Sequence, residues 1–390
     1  MVTELTSLED IYSGWISKRP IEIVKGKGVY LYDKNGNEYI DCIGGNGVAI
    51  IGHSHPKLIK AIKKQAERLI VCPTLFYNEV RAKLYKKLAE ITPDSLSKSF
   101  LSNSGAESVE CAIKLAKRYS GKPEIIAMKH AFHGRTSGAL SATWNPKYKK
   151  PFEPLVPKFK HVPFGDIEAI KNNITEETAA IIVEPIQGEA GVIIPPTNFL
   201  KELREVCSEK NVLLIIDEVQ TGFGRTGKMF ACYGHWNVVP DILCLAKAVS
   251  GGIPMGVTIA KPEIFDSVKT GEHYSTFGGN PLASAAALAS IDIIIGEKLP
   301  KNAEENGKYF LNQLTNRLEG NRIIRDIRGM GLMIALELRL KVKNYILEAL
   351  KKGVLFLTSG KTTIRMLPPL MLEKREIDKI IDIIEQILRN

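Results

Sequence analysis

Two apolar runs in this chain end abruptly at a charge. Residues 213–216 stop at Asp217, and residues 242–246 stop at Lys247, thirty positions later (247 − 217). Each run has the length of a short buried strand. Open parallel sheets bind ligands at the carboxyl ends of their strands, which is where both charges then stand.

Runs of the same kind recur at residues 99–101, 125–128, 180–183 and 257–260. Helical periodicity fills several gaps, as at residues 108–119 and 199–209. Alternating strands and helices predict an α/β fold with a mostly parallel sheet covered on both faces. Ahead of it, residues 29–32 and 38–40 flank Asn35-Gly36, a strong hairpin signal. Pro56 opens a helix with Leu58, Ile59, Ile62, Ala66 and Leu69 on one face, and Val80, Leu84 and Leu88 mark another. A long apolar helix follows Pro281. Beyond Leu299-Pro300 the pattern becomes helix, strand 332–338, helix, strand 363–366 and terminal helix 374–388. The expected organisation is an N-terminal segment with an antiparallel hairpin (1–50), a large domain (51–294) and a smaller α+β domain (295–390).

Composition narrows the function. Of 390 residues, 44% are hydrophobic and 25% charged, an ordinary globular balance. No apolar stretch has spanning length, and residues 1–10 lack the basic-then-apolar start of a signal peptide, so a cytoplasmic protein off the membrane is expected. The six cysteines form no C-x-x-C pair, which gives no sign of zinc or redox chemistry. The net charge of +10 suits anionic substrates, an acidic protein or nucleic acid. Its lysines are dispersed and no nucleic-acid motif accompanies them, so most of the charge reads as solvated surface and nucleic acid is not expected.

Several further segments follow strands. Ser102-Asn103-Ser104-Gly105-Ala106-Glu107-Ser108 joins a strand to a helix, and small residues at a helix N-terminus suit phosphate, although the plain reading is a capped helix. In Ala131-Phe132-His133-Gly134-Arg135-Thr136 the aromatic suits a flat ring, and the arginine suits a carboxylate. Taken singly, Phe132 is ordinary core and Arg135 an ordinary surface cation. Glu189 ends Glu184-Pro185-Ile186-Gln187-Gly188-Glu189 and reads equally as a solvated loop acid. Arg365 interrupts an apolar strand and needs a partner, either a ligand carboxylate or Glu189. Tyr274-Ser275-Thr276-Phe277-Gly278-Gly279-Asn280-Pro281 offers hydroxyls, or merely a glycine-rich turn with an Asn cap. A buried lysine beside a carboxylate suits pyridoxal phosphate: the lysine forms a Schiff base and the acid keeps the pyridine nitrogen protonated.

Together, and in this order along nearly the whole chain, these motifs resemble fold-type I pyridoxal-phosphate enzymes, specifically class III aminotransferases. Phe132-His133-Gly134-Arg135-Thr136, the Glu189 loop and the Arg365 strand are similar to the acetylornithine aminotransferase branch. The resemblance implies roles. Lys247 is the Schiff-base lysine and proton shuttle, Asp217 pairs with the pyridinium nitrogen, and Gln220 lies near the ring hydroxyl. Ser104, Gly105 and Ala106 hold the phosphate, Phe132 stacks on the ring, and Glu218 and Val219 belong to the cofactor pocket. Ser275 and Thr276 reach the substrate region and cofactor phosphate of the neighbouring subunit, which implies a homodimer with shared sites. Arg135 binds the substrate α-carboxylate. Glu189 and Arg365 form a switch that lets one pocket take an amine and then 2-oxoglutarate, releasing glutamate.

The implied donor is a lysine or ornithine whose α-nitrogen is masked, since the free semialdehydes cyclise. The mask is an acetyl group, as in N-acetylornithine, or the C-terminal glutamate of an acidic carrier protein of the LysW type. The net charge of +10 tilts the expectation toward the carrier and predicts a basic rim at the pocket mouth. Gly44-Gly45-Asn46-Gly47 is likewise more similar to carrier-dependent enzymes of lysine and arginine biosynthesis. An aminomutase or racemase, or a non-catalytic cofactor-binding regulator, are the alternatives of other classes.

Overall fold

The computed structural model describes residues 4–14, 18–93 and 95–389. Fifteen strands run in chain order as β1 Ile23–Lys27, β2 Tyr30–Asp33, β3 Glu38–Asp41, β4 Lys98–Ser102, β5 Glu124–Met128, β6 Phe159–Val162, β7 Thr178–Val183, β8 Leu213–Asp217, β9 Ile242–Leu245, β10 Gly256–Ala260, β11 Ile324–Met330, β12 Met333–Leu338, β13 Val354–Leu355, β14 Leu357–Ser359 and β15 Thr363–Met366. Seven form the central sheet in the order β4-β10-β9-β8-β7-β5-β6. Its strands from β6 through β9 are mutually parallel, and β10 runs antiparallel to both β9 and β4.

The central strands β5, β7, β8 and β9 are apolar except at their ends, where Glu124, Thr178 and Asp217 stand, because both faces are covered. Ile125, Ala127, Ile182, Ile215 and Cys244 join Val109 and Ala112 of the Gly105–Ser120 helix in one cluster. Ile126, Met128, Ile181, Ile216 and Leu245 turn the other way, into the larger cluster with Leu203 and Ile291. Side chains alternate across a strand, so a doubly covered strand loses its polar half. By contrast β6 is an edge strand carrying Lys160 and His161, and it was not expected from the pattern. Nor were β1, β11, β13 and β14, which are short, or half-exposed and interrupted by charge.

The Pro56–Ala66 helix forms as expected, yet most of its apolar face is uncovered. Leu58 is buried, whereas Ile59 and Ala66 are exposed, and Leu69 lies past the helix and exposed. The Pro281–Gly296 helix packs against it, with Leu58 and Ile62 joining the core.

The hairpin of β2 and β3 gains β1 on one side and, in parallel, β13 on the other. Residues on either side of the large domain therefore share one sheet. A second four-stranded sheet, β11-β12-β15-β14, sets Arg365 beside the carboxyl ends of the central strands. Among the described residues no helix is long and apolar enough to cross a membrane. All six cysteines are free, and Cys42, Cys111, Cys207, Cys232 and Cys244 are buried.

Candidate active site

The ends of β4, β5, β7, β8 and β9 open onto one cavity of about 630 Å³. Asp217 closes β8 and is only 4% exposed. Its Oδ2 lies 2.8 Å from His133 Nδ1, and its Oδ1 accepts a hydrogen bond from the Val219 N–H at 3.0 Å. An acceptor carboxylate at that distance assigns the imidazole proton to Nδ1. His133 Nε2 is buried and has no protein partner among the described residues.

Lys247 opens a tight turn, Lys247–Ser250, with a left-handed φ of 44°. Such a backbone is rare for a residue with a side chain and is typically held in place by its surroundings. Nζ donates to Gln220 Oε1 at 2.6 Å. Burial pushes the amine down to about 8, and the Arg365 charge pushes the same way. A sizeable neutral fraction at neutral pH makes it both nucleophile and base.

The phosphate-like corner is built by local capping. Ser104 Oγ accepts from Glu107 N at 3.2 Å, and Glu107 Oε2 accepts from Asn103 N at 2.7 Å, which starts the Gly105–Ser120 helix at the cavity wall. The first-turn N–H groups of Gly105 and Ala106 have no intrahelical partner. A Cβ on Gly105 would come within 2.9 Å of the Val219 side chain, so only glycine lets helix and strand approach this closely.

The mouth carries the remaining charges. Arg365 Nη2 pairs with Glu189 Oε2 at 3.1 Å, and Arg365 Nη1 donates to Gly188 O at 2.8 Å. Its Nε is buried without a partner among the described residues. Arg135 is exposed on the cavity wall, and the Phe132 ring faces it.

Ser104, Gly105, Ala106, Phe132, Arg135, Glu189, Asp217, Val219, Gln220, Lys247 and Arg365 therefore meet in one cavity. Three expected residues stand outside it. The Glu218 side chain turns into the scaffold, where its carboxylate accepts from Ala231 N at 2.8 Å and Cys232 N at 2.7 Å; this corrects its assignment to the cofactor. Ser275 Oγ accepts from Gly278 N at 3.0 Å, and Thr276 is exposed; neither lines this chain's own cavity. Two glycines of Gly44-Gly45-Asn46-Gly47 have a packing reason: a Cβ on Gly44 would sit 2.4 Å from Leu367 O, and one on Gly47 2.2 Å from Gln220 Nε2.

Glu184 went without a role in the sequence, although it directly follows β7, much as Asp217 closes β8. It is 5% exposed and accepts from Phe132 N at 3.1 Å and Gly188 N at 3.2 Å, tying the aromatic loop to the Glu189 loop. Burial lifts its carboxyl to about 7, with the Asp217 charge adding to the rise.

Residues 11–388 match the family described as Aminotransferase class-III. The chain belongs to the class-III aminotransferases. It is 48% identical over 375 residues to the acetylornithine aminotransferase of Methanopyrus kandleri, covering 96% of this chain and 95% of the relative. It is 42% identical over 382 residues to the [LysW]-aminoadipate semialdehyde transaminase of Deinococcus radiodurans, covering 97% and 88%. The ornithine aminotransferase structure from Toxoplasma gondii superposes with a TM-score of 0.95 at 34% identity, covering 99% of this chain and 94% of that one.

This aminotransferase is thus a pyridoxal-phosphate-dependent transaminase of amino-acid biosynthesis, with an α/β fold-type I architecture. Its cavity fits the cofactor. Gln220 Nε2 is a buried donor lacking a partner among the described residues, beside an anchored carboxylate, a lysine whose charge burial disfavours and a helix start free to receive an anion. Bound there, the cofactor supplies an electron-accepting ring and an aldehyde that captures amines.

Proposed function

We propose that this enzyme moves the terminal amine of an α-N-masked lysine or ornithine to 2-oxoglutarate, giving a semialdehyde and glutamate. The observation that carries this reading is the Glu189–Arg365 pair at 3.1 Å. A permanently open arginine deep in the mouth would attract carboxylates in both half-reactions. Neutralised by Glu189, it admits an amine flanked by methylenes; released, it grips the far carboxylate of 2-oxoglutarate.

The other residues act around that exchange. Lys247 would hold the cofactor, and its Nζ, kept largely out of water, would carry the proton moved in the reaction. Asp217 would keep a proton on the cofactor's ring nitrogen, and His133 holds Asp217 in place. Gln220 donates through Nε2 to the ring hydroxyl. Ser104, Gly105 and Ala106 receive the phosphate, Val219 and Phe132 bracket the ring, and Arg135 takes the donor α-carboxylate.

The enzyme acts as a homodimer that shares its sites. Supporting this, an apolar surface lies uncovered around Ile70, Val71, Leu75, Phe76 and Phe277. It adjoins the Ser275–Thr276 segment, which does not line the catalytic cavity of its own chain and is available to a neighbour's.

For the mask, the reading favours an acidic carrier protein. A second recess of about 830 Å³ shares Phe132 and Glu189 with the catalytic cavity, far more room than an acetyl group needs. Lys129 and Arg328 line it, beside exposed Arg135, although Arg328 is already paired with Asp326 and Glu337. The names of the relatives support N-acetylornithine equally. Glutamate formation from 2-oxoglutarate, with carrier-bound lysine and with N-acetylornithine as donors, tests both. Faster turnover of the carrier substrate, weakening in salt, is expected; much faster turnover of N-acetylornithine would reverse the choice of mask. Failure of both donors to yield glutamate would end the transamination reading.

A further inference from the structure

One tyrosine touches both carboxylate-handling groups of the mouth. Arg135 forms no ion pair among the described residues. Instead its Cζ lies 3.8 Å above the centroid of the Tyr148 ring and 5.4 Å from that of Phe132. At 3.8 Å the guanidinium rests in van der Waals contact with the ring, and its N–H fork stays free for a carboxylate. On its other side, the Tyr148 hydroxyl lies 3.5 Å from Glu189 Oε1, while Glu189 Oε2 is 3.1 Å from Arg365. The two oxygens of one carboxylate are divided between an arginine and a phenol.

Tyr148 is held for this position. It lies in the Pro146–Lys149 turn, capped by Asn145, whose side chain accepts from Lys147 N at 3.0 Å. Lys149 Nζ ties the turn to Ser141 O at 3.0 Å. Burial and the Glu189 charge raise the phenol above its ordinary value, which keeps the hydroxyl a donor.

We propose that Tyr148 is a positioning residue for both grips. Its ring holds the Arg135 fork toward the donor α-carboxylate, and its hydroxyl receives Glu189 when that carboxylate leaves Arg365. The argument rests on the roles proposed above for Arg135, Glu189 and Arg365. A carboxylate that must abandon an arginine needs another donor within reach. A movement of about 0.7 Å turns the present 3.5 Å contact into a normal O–H···O bond. The tyrosine then makes release of the switch and retention of the α-carboxylate parts of one device.

Single-turnover rates of each half-reaction in the holoenzyme separate the two contacts. The donors are the masked amine that the wild type turns over and pentylamine, which has no carboxylate. The acceptors are 2-oxoglutarate and pyruvate, which has no second carboxylate for Arg365. Tyr148→Phe keeps the ring and loses the hydroxyl. It should weaken 2-oxoglutarate about fivefold, a hydrogen bond's worth, while pyruvate and the masked amine stay within about twofold. Tyr148→Leu should in addition weaken the masked amine about tenfold and leave pentylamine alone. Wild-type behaviour of Tyr148→Phe toward 2-oxoglutarate overturns the hydroxyl's role. Tyr148→Leu overturns the ring's role if it harms pentylamine as much as the masked amine, or harms neither. A wild-type enzyme that makes no glutamate indicts the proposed function instead, so the two failures are distinguishable.

Discussion

The floor and the mouth of the cavity use the same residue types to opposite ends. On the floor, Asp217 and Glu184 are 4% and 5% exposed, and each carboxylate is fastened to backbone N–H groups. At the mouth, the Glu189 side chain is 38% exposed and holds only side chains, Arg365 and more loosely Tyr148. Backbone-anchored charges cannot leave without stranding buried donors, which is costly. Arg365 itself is buried, so the pair opens only when another carboxylate takes the place of the half-exposed Glu189. Burial thus separates a fixed electrostatic platform from a replaceable gate, although both are made of acids facing bases.

The sharpest way to break this contrast is to remove the floor. Lys247→Ala should lower turnover by about 10⁴-fold while cofactor still binds, read by steady-state assay and by absorbance after gel filtration. Asp217→Asn should cost about 10²–10³-fold, because the ring loses the charge that makes it an electron sink; near-wild-type kinetics would sink the platform idea. Removing the gate should do something different in kind. Glu189→Ala leaves Arg365 open throughout, so selectivity for the masked amine over glutamate as donor should fall about 10- to 100-fold, with the rate on 2-oxoglutarate little changed. The smallest effect is one of pH. Because burial lowers Lys247 to about 8, its charged fraction dominates below that value and its neutral fraction above it. Cofactor capture by the stripped protein should therefore rise roughly tenfold between pH 7 and 9, followed by stopped-flow absorbance, and a rise of about a hundredfold, that of an ordinary exposed lysine, would contradict a buried amine.

The floor was more legible in the sequence than the mouth, for a physical reason. A doubly covered strand must be apolar, so the charge that ends it is conspicuous; Asp217 and Lys247 stand out in this way. Glu184 obeys the same rule and was open to the same reading. His133 was not, since a histidine in a loop reveals neither burial nor partner until Asp217 arrives from a strand 84 residues away. Tyr148 lies in the densest run of lysines and reads as surface. Glu218 shows the converse: it neighbours Asp217 in sequence, but adjacent residues at a strand end point opposite ways, and its carboxylate serves the Ala231–Trp236 helix instead. The strands that escaped notice, such as β6 and β11, carry charges because one face or edge is open.

The sheet shared by the two ends of the chain bears on how the protein is made. Ile40 of β3 pairs with Val354 of β13, across 314 positions (354 − 40). At about 5–20 residues per second, a ribosome needs on the order of 15–60 s between emitting the one and the other. Through that interval the nascent hairpin presents an unpaired edge, an invitation to wrong partners that the finished enzyme no longer extends.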